Sequence, residues 1–114
     1  MKKILLIIAL FLTVLSCNAQ TKITPEQAKD NIGKNVQVCG KVYNVYTSKK
    51  GNTFLNFGGK YPNQAFAATI FASDKNNFKT LDYANKEICV TGYIKEYNGK
   101  PEIIVKYESQ ISGK

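Results

Sequence analysis

Two stretches of this chain follow one pattern, and that pattern constrains the fold more than anything else in the sequence. Val36-Gln37-Val38-Cys39-Gly40-Lys41-Val42 is echoed by Ile88-Cys89-Val90-Thr91-Gly92-Tyr93-Ile94. Apolar residues recur at every second position in both, which is the period of a strand with one buried face. Each stretch has a glycine at its fifth place, where a glycine inside a strand marks a bulge or a sharp bend. Two strands bent at equivalent points predict a sheet that curls and closes on itself.

The rest of the chain supplies the other parts. Thr24-Pro25-Glu26-Gln27 is a helix start: threonine suits the N-cap, proline the first helical position, and Gln27 completes a capping box. The helix should run to about Asn31 or Ile32 and stop at Gly33. The first strand then extends from Asn35 to about Ser48. Lys49-Lys50-Gly51-Asn52 reads as a hairpin loop. A second strand covers Thr53 to Phe57, with Leu55 and Phe57 on one face and Phe54 and Asn56 on the other. A turn-rich link through Gly58-Gly59-Lys60-Tyr61-Pro62-Asn63-Gln64 leads to a third strand, about Ala65 to Phe71. Asp74 to Ala84 is polar, with Phe78 and Leu81 three apart, and predicts a short helix or helical turn. The fourth strand runs from Glu87 to Tyr97, Asn98-Gly99 is a strong hairpin signal, and the fifth runs from Pro101 to about Tyr107. The predicted class is all-β: a five-stranded Greek-key OB-fold barrel with a short N-terminal helix and a helical connection between strands three and four.

Ahead of this domain stands a different kind of segment. Met1-Lys2-Lys3 is a positive n-region, and Ile4 to Leu15 is an apolar run of about twelve residues, short of the roughly 20 needed to span a bilayer. Residues 1–19 therefore read as a signal peptide and residues 20–114 as the OB-fold domain. Two processing readings stay open. Val14-Leu15-Ser16-Cys17 resembles a lipobox, in which Cys17 becomes the lipid-modified N-terminus. Cys17-Asn18-Ala19 before Gln20 also suits ordinary signal peptidase. Either places the protein outside the cytoplasm, in the periplasm or as an outer-membrane lipoprotein, touching membrane only through its lipid.

Several segments together resemble the OB-fold nucleic-acid-binding-like domains of exported bacterial proteins. These are Val-Cys-Gly-Lys-Val at 38–42, the run from Gly51 to Gly58, Tyr61-Pro62-Asn63-Gln64, Ile88-Cys89-Val90-Thr91-Gly92, and the run from Gly99 to Val105. The resemblance covers about residues 33 to 111. It implies the fold and leaves the ligand open, because a fold does not fix a function. Some domains of this kind occur beside secreted nucleases, and one nuclease type with this fold combines carboxylates, calcium and arginines. This chain has no arginine, so that chemistry does not carry over.

Composition narrows the function further. All sixteen cations are lysine, set against eight carboxylates, and the chain lacks His, Arg and Trp. Without its first two lysines the balance is 14 minus 8, or +6. No imidazole base, catalytic triad or His-rich metal site can be assembled. Asp74, Asp82, Glu87, Glu96, Glu102 and Glu108 are scattered through turns and strand ends. The expectation is a non-catalytic binding module without metal or cofactor.

Two constellations remain. Cys39 and Cys89 lie on the face opposite the valine and isoleucine core. They would meet if strands one and four pair antiparallel, and a single step of register decides between a disulfide and two free thiols. The second is a surface. OB-folds bind through strands two and three and the loops joining strands one to two and four to five. Here that selects Lys49, Lys50, Phe54, Asn56, Lys60, Tyr61, Tyr97 and Lys100. Lysines neutralise phosphates and rings stack on bases, so the leading partner is nucleic acid, single-stranded in the first place, or another extended polyanion. The same residues also read as plain solvated surface, since lysine without arginine is a weak nucleic-acid signature. The runner-up is a module docking an envelope protein or an oligosaccharide.

Overall fold

The alternating stretches form the two longest strands of a mostly-β domain. The computed structural model describes residues 20–113. The signal-peptide segment and Cys17 lie outside the described residues. Among the described residues there are seven strands: β1 (Lys22–Ile23), β2 (Asn35–Thr47), β3 (Thr53–Phe57), β4 (Phe66–Ile70), β5 (Glu87–Tyr97), β6 (Lys100–Ile104) and β7 (Ile111–Gly113). Five of them fall where the alternation places strands. The outermost two, β1 and β7, were not expected.

The strand order is β1-β2-β3-β4-β6-β5-β7, and β2 pairs additionally with β5. Hydrogen bonding therefore runs from β2 through β3, β4, β6 and β5 back to β2. Each long strand serves two neighbours in succession. β2 pairs with β5 over Asn35 to Lys41 and with β3 from Val42 onward. β5 pairs with β2 up to Tyr93 and with β6 from Ile94. Gly40 and Gly92 sit just before these two changes of partner, which explains the echo. A β-carbon at Gly40 would lie 2.7 Å from the Pro25 ring, and one at Gly92 would lie 2.6 Å from Ile103 Cγ2. The glycines thus admit close neighbours at the points where the strands change partner.

Inward-facing residues of every strand meet in one core. Val36, Val38, Val42, Leu55, Phe57, Phe66, Ala68, Ile70, Val90, Ile94 and Ile103 are fully or almost fully buried. Phe57 and Phe66 lie across β3 and β4 with ring centroids 5.3 Å apart. Burying such side chains stabilises the fold by about 1.5–3 kcal/mol each before ordering costs.

Two helical expectations need correction. The N-terminal element has the capping box, with Thr24 accepting from the Gln27 N–H and the Gln27 side chain accepting from the Thr24 N–H. It is nevertheless a 3₁₀ helix, Pro25–Asp30, and Ala28 from it enters the core. Six residues suffice to bring Ala28 inward, and the tighter i→i+3 geometry is the usual form of so short a piece. The connection between β4 and β5 is also 3₁₀, but it covers Ala72–Asn77 and begins and ends earlier than expected. Phe78 and Leu81 follow it in irregular chain, where both pack on the core. Their spacing reflects anchoring of a loop and not a helical face. The fifth strand also starts one residue earlier and stops at Ile104.

Candidate functional site

One face of the sheet carries a cleft of about 580 Å3, and its floor is built by alternation. Leu55 and Phe57 of β3 point inward, so Phe54 and Asn56 point the other way, onto the cleft. The hairpin register sets Tyr46 opposite Phe54 and Asn44 opposite Asn56. The Tyr46 and Phe54 rings are stacked, with centroids 6.3 Å apart and planes 22° from parallel. Asn56 Nδ2 donates to Asn44 Oδ1 at 3.1 Å. On the far side β4 and β6 run parallel, bringing Ala67 level with Glu102. Thr69 Oγ1 donates to Glu102 Oε1 at 2.6 Å, and both residues are buried.

Two connections form the rim. Lys60, Tyr61, Pro62 and Gln64 come from the link between β3 and β4, and Tyr97, Asn98 and Lys100 from the β5–β6 hairpin. Tyr61 and Tyr97 are largely exposed, at 59% and 58% of their surface. Gln64 is buried, and its Oε1 has no hydrogen-bond partner. A cleft with cations and rings at its edge, stacked rings on its floor and amide and carboxylate groups between them can hold an extended ligand having flat faces and polar edges.

The structure brings six of the eight residues chosen from sequence into this cleft: Phe54, Asn56, Lys60, Tyr61, Tyr97 and Lys100. Lys49 and Lys50 are exposed but do not line it. Their loop leans toward the second 3₁₀ helix, since Asn52 Oδ1 accepts from the Ala72 N–H at 3.0 Å. Asn56 is not the freely exposed residue its phase suggested, because it is 2% exposed and already bonded to Asn44. Sequence reasoning missed Tyr46, Asn44, Gln64 and Glu102. Counting outward from the Lys49–Asn52 loop pairs Tyr46 with Leu55; the loop between paired residues is one residue longer, Ser48 to Asn52, and this shift sets Tyr46 opposite Phe54. Glu102 offered no signal, because its partner Thr69 lies on a strand 33 residues earlier.

Across the molecule Cys39 and Cys89 face each other in the β2–β5 register and are joined by a disulfide with an S–S distance of 2.06 Å. Both are buried although they lie on the face away from the core. They are not part of the cleft.

No protein-family model matches the chain, and comparison with curated proteins finds no significant match. Solved structures do share its fold. An asparaginyl-tRNA synthetase from Pyrococcus horikoshii matches with a TM-score of 0.54 and 18% identity over 82% of this chain. A protein assigned as an aspartyl-tRNA synthetase from Leishmania major Friedlin matches with a TM-score of 0.55 and 12% identity, also over 82%. An aspartyl-tRNA synthetase from Entamoeba histolytica matches with a TM-score of 0.50 and 14% identity over 80%. The chain spans only 23%, 21% and 21% of those proteins, respectively. At these identities the likeness establishes the fold alone, an OB-fold.

Proposed function

We propose that this OB-fold, a closed Greek-key barrel, is a non-catalytic module that binds single-stranded nucleic acid in the cleft above β3 and β4. The observation that carries the reading is the stacked Tyr46–Phe54 pair on the floor, with Lys60 and Lys100 at the edge. Bases stack on rings whatever their sequence, and lysines offset the charge of the phosphates. The position of the cleft agrees with the loops and strands through which OB-folds bind polymers. The leader-like segment of residues 1–19 supports export of the module, with Cys17 as a candidate lipid anchor.

A binding titration with short single-stranded oligonucleotides, repeated across salt concentrations, tests this. Phe54→Ala should lower affinity by roughly 1–3 kcal/mol and leave the salt slope nearly unchanged. Lys60→Gln and Lys100→Gln should lower both affinity and slope, the slope by about 0.7 for each phosphate that is no longer neutralised. Lys49→Gln and Lys50→Gln, outside the cleft, should have smaller effects. If the wild-type protein binds no oligonucleotide at about 50 mM salt, where electrostatic affinity is generous, the reading fails.

A second reading is favoured by one observation. Glu102 sets a carboxylate in the cleft, and exposed tyrosines beside amide and carboxylate groups also suit an oligosaccharide. A glycan or envelope-protein partner would bind without a steep salt dependence, and the same titration separates the two.

A further inference from the structure

Resting on the nucleic-acid reading, we infer that the cleft selects one base, guanine, through hydrogen-bond acceptors fixed in its floor. Glu102 is 7% exposed, and Thr69 engages only its Oε1. Its Oε2 has no bond from any described residue. Gln64 is 8% exposed and lines the same cleft, and its Oε1 is buried without a partner. Asn56 donates to Asn44 through Nδ2, which leaves its own Oδ1 free to accept.

These groups differ in how firmly their sense is set. The side-chain amides of Asn44, Asn56 and Gln64 each have a donor end and an acceptor end, and can turn. A carboxylate only accepts. The Thr69 hydroxyl spends its one proton on Glu102, so it cannot offer that proton to a ligand. The buried floor is thus committed to acceptance at Glu102, and Gln64 adds an acceptor that now lacks a donor. A phosphate would be repelled from this carboxylate, so the backbone must follow the lysines at the edge and a base must enter the floor.

Among the four bases, only guanine places two adjacent N–H donors, N1–H and the N2 amine, on one edge, which matches a carboxylate. Adenine and cytosine offer an amine beside a ring acceptor. Thymine and uracil set two carbonyl oxygens around a single N–H, so a carboxylate that accepts from that N–H finds no second donor beside it and meets a carbonyl oxygen instead.

The test measures binding of the protein to DNA heptamers of thymine whose central base is guanine, hypoxanthine or thymine. Hypoxanthine keeps N1–H and lacks the N2 amine. A bidentate base contact should make the guanine heptamer bind roughly tenfold more tightly than all-thymine, with hypoxanthine between them. Glu102→Gln replaces one acceptor oxygen by a donor. It should reduce the guanine preference to less than about threefold while all-thymine binding is kept or improved. If that variant does not fold by thermal melting, Gln64→Met provides the second reading. It removes a partnerless buried oxygen, so it should melt no lower than wild type and still lose part of the preference. Equal binding of the guanine and thymine heptamers overturns base selection and leaves the nucleic-acid reading intact. A full guanine preference retained in the folded variants overturns the assignment to Glu102 and Gln64. Failure of all three heptamers to bind overturns both this inference and the reading beneath it.

Discussion

Thr69 and Glu102 are joined by a hydrogen bond of 2.6 Å between two buried side chains on parallel strands. A hydroxyl donating to a buried carboxylate offsets part of the cost of removing that charge from water. Thr69→Val keeps the shape and deletes the donor, leaving Glu102 uncompensated. It should destabilise the protein by roughly 1.5–3 kcal/mol, measured by urea unfolding, and Thr69→Ser should recover most of that stability.

The two strand glycines should separate by what they face. Gly92→Ala pushes a methyl group into Ile103, a fully buried neighbour, and should cost about 1–3 kcal/mol. Gly40→Ala meets the Pro25 ring of a short helix, which can shift more easily, so its cost should be smaller. Gly113→Ala has no atom within 4 Å of the added carbon and should stay within about 0.5 kcal/mol of wild type. Chemical denaturation of the three variants checks the order.

The Cys39–Cys89 disulfide closes a loop with a sequence separation of 50. Its removal by Cys39→Ala with Cys89→Ala should lower stability by roughly 2–4 kcal/mol, chiefly by freeing the unfolded chain. The far-UV circular dichroism should be unchanged, because the β2–β5 ladder has its own backbone bonds. A double variant as stable as the oxidised protein would contradict this account.

Tyr83 gives a pH signature. Burial of its phenol, aided by the nearby Glu108 carboxylate, raises its pKa above the ordinary 10.0. The folded state therefore holds this proton more tightly than the unfolded state. The resulting stability is fully present below pH 10.0 and is lost as pH rises through the folded-state pKa. Alkaline unfolding curves of wild type and Tyr83→Phe should diverge only in that window, with the phenylalanine variant losing less. Phenolate absorbance should show Glu108→Gln bringing the titration of Tyr83 down.

The sequence reveals this fold where the period is long enough to count. Thirteen residues of β2 and eleven of β5 repeat the alternation several times, so their spans and bends can be read directly. β1 has two residues and β7 has three, too few for any period, and they exist because the two long strands leave ladder groups for them to pair with. The site divides in the same way. Phe54, Lys60, Tyr61, Tyr97 and Lys100 follow from strand phase and loop position. Asn56 shows the limit of phase, which tells the side a residue faces and not whether a neighbour such as Asn44 already occupies it. Glu102 and Gln64 depend on the parallel β4–β6 pairing and on the path of a turn-rich link, neither of which leaves a mark in one sequence.

The β2–β5 seam also has a kinetic meaning. Hairpins β2–β3 and β5–β6 join neighbouring segments and can form early, whereas the seam joins residues about fifty apart. Closing a loop of that size has a larger entropy cost, and chains dominated by distant pairings fold in roughly milliseconds to seconds. The seam is therefore expected to close after the two hairpins. A chain whose Cys39–Cys89 bond survives denaturation starts its return with that search already done, and should refold faster than the reduced chain.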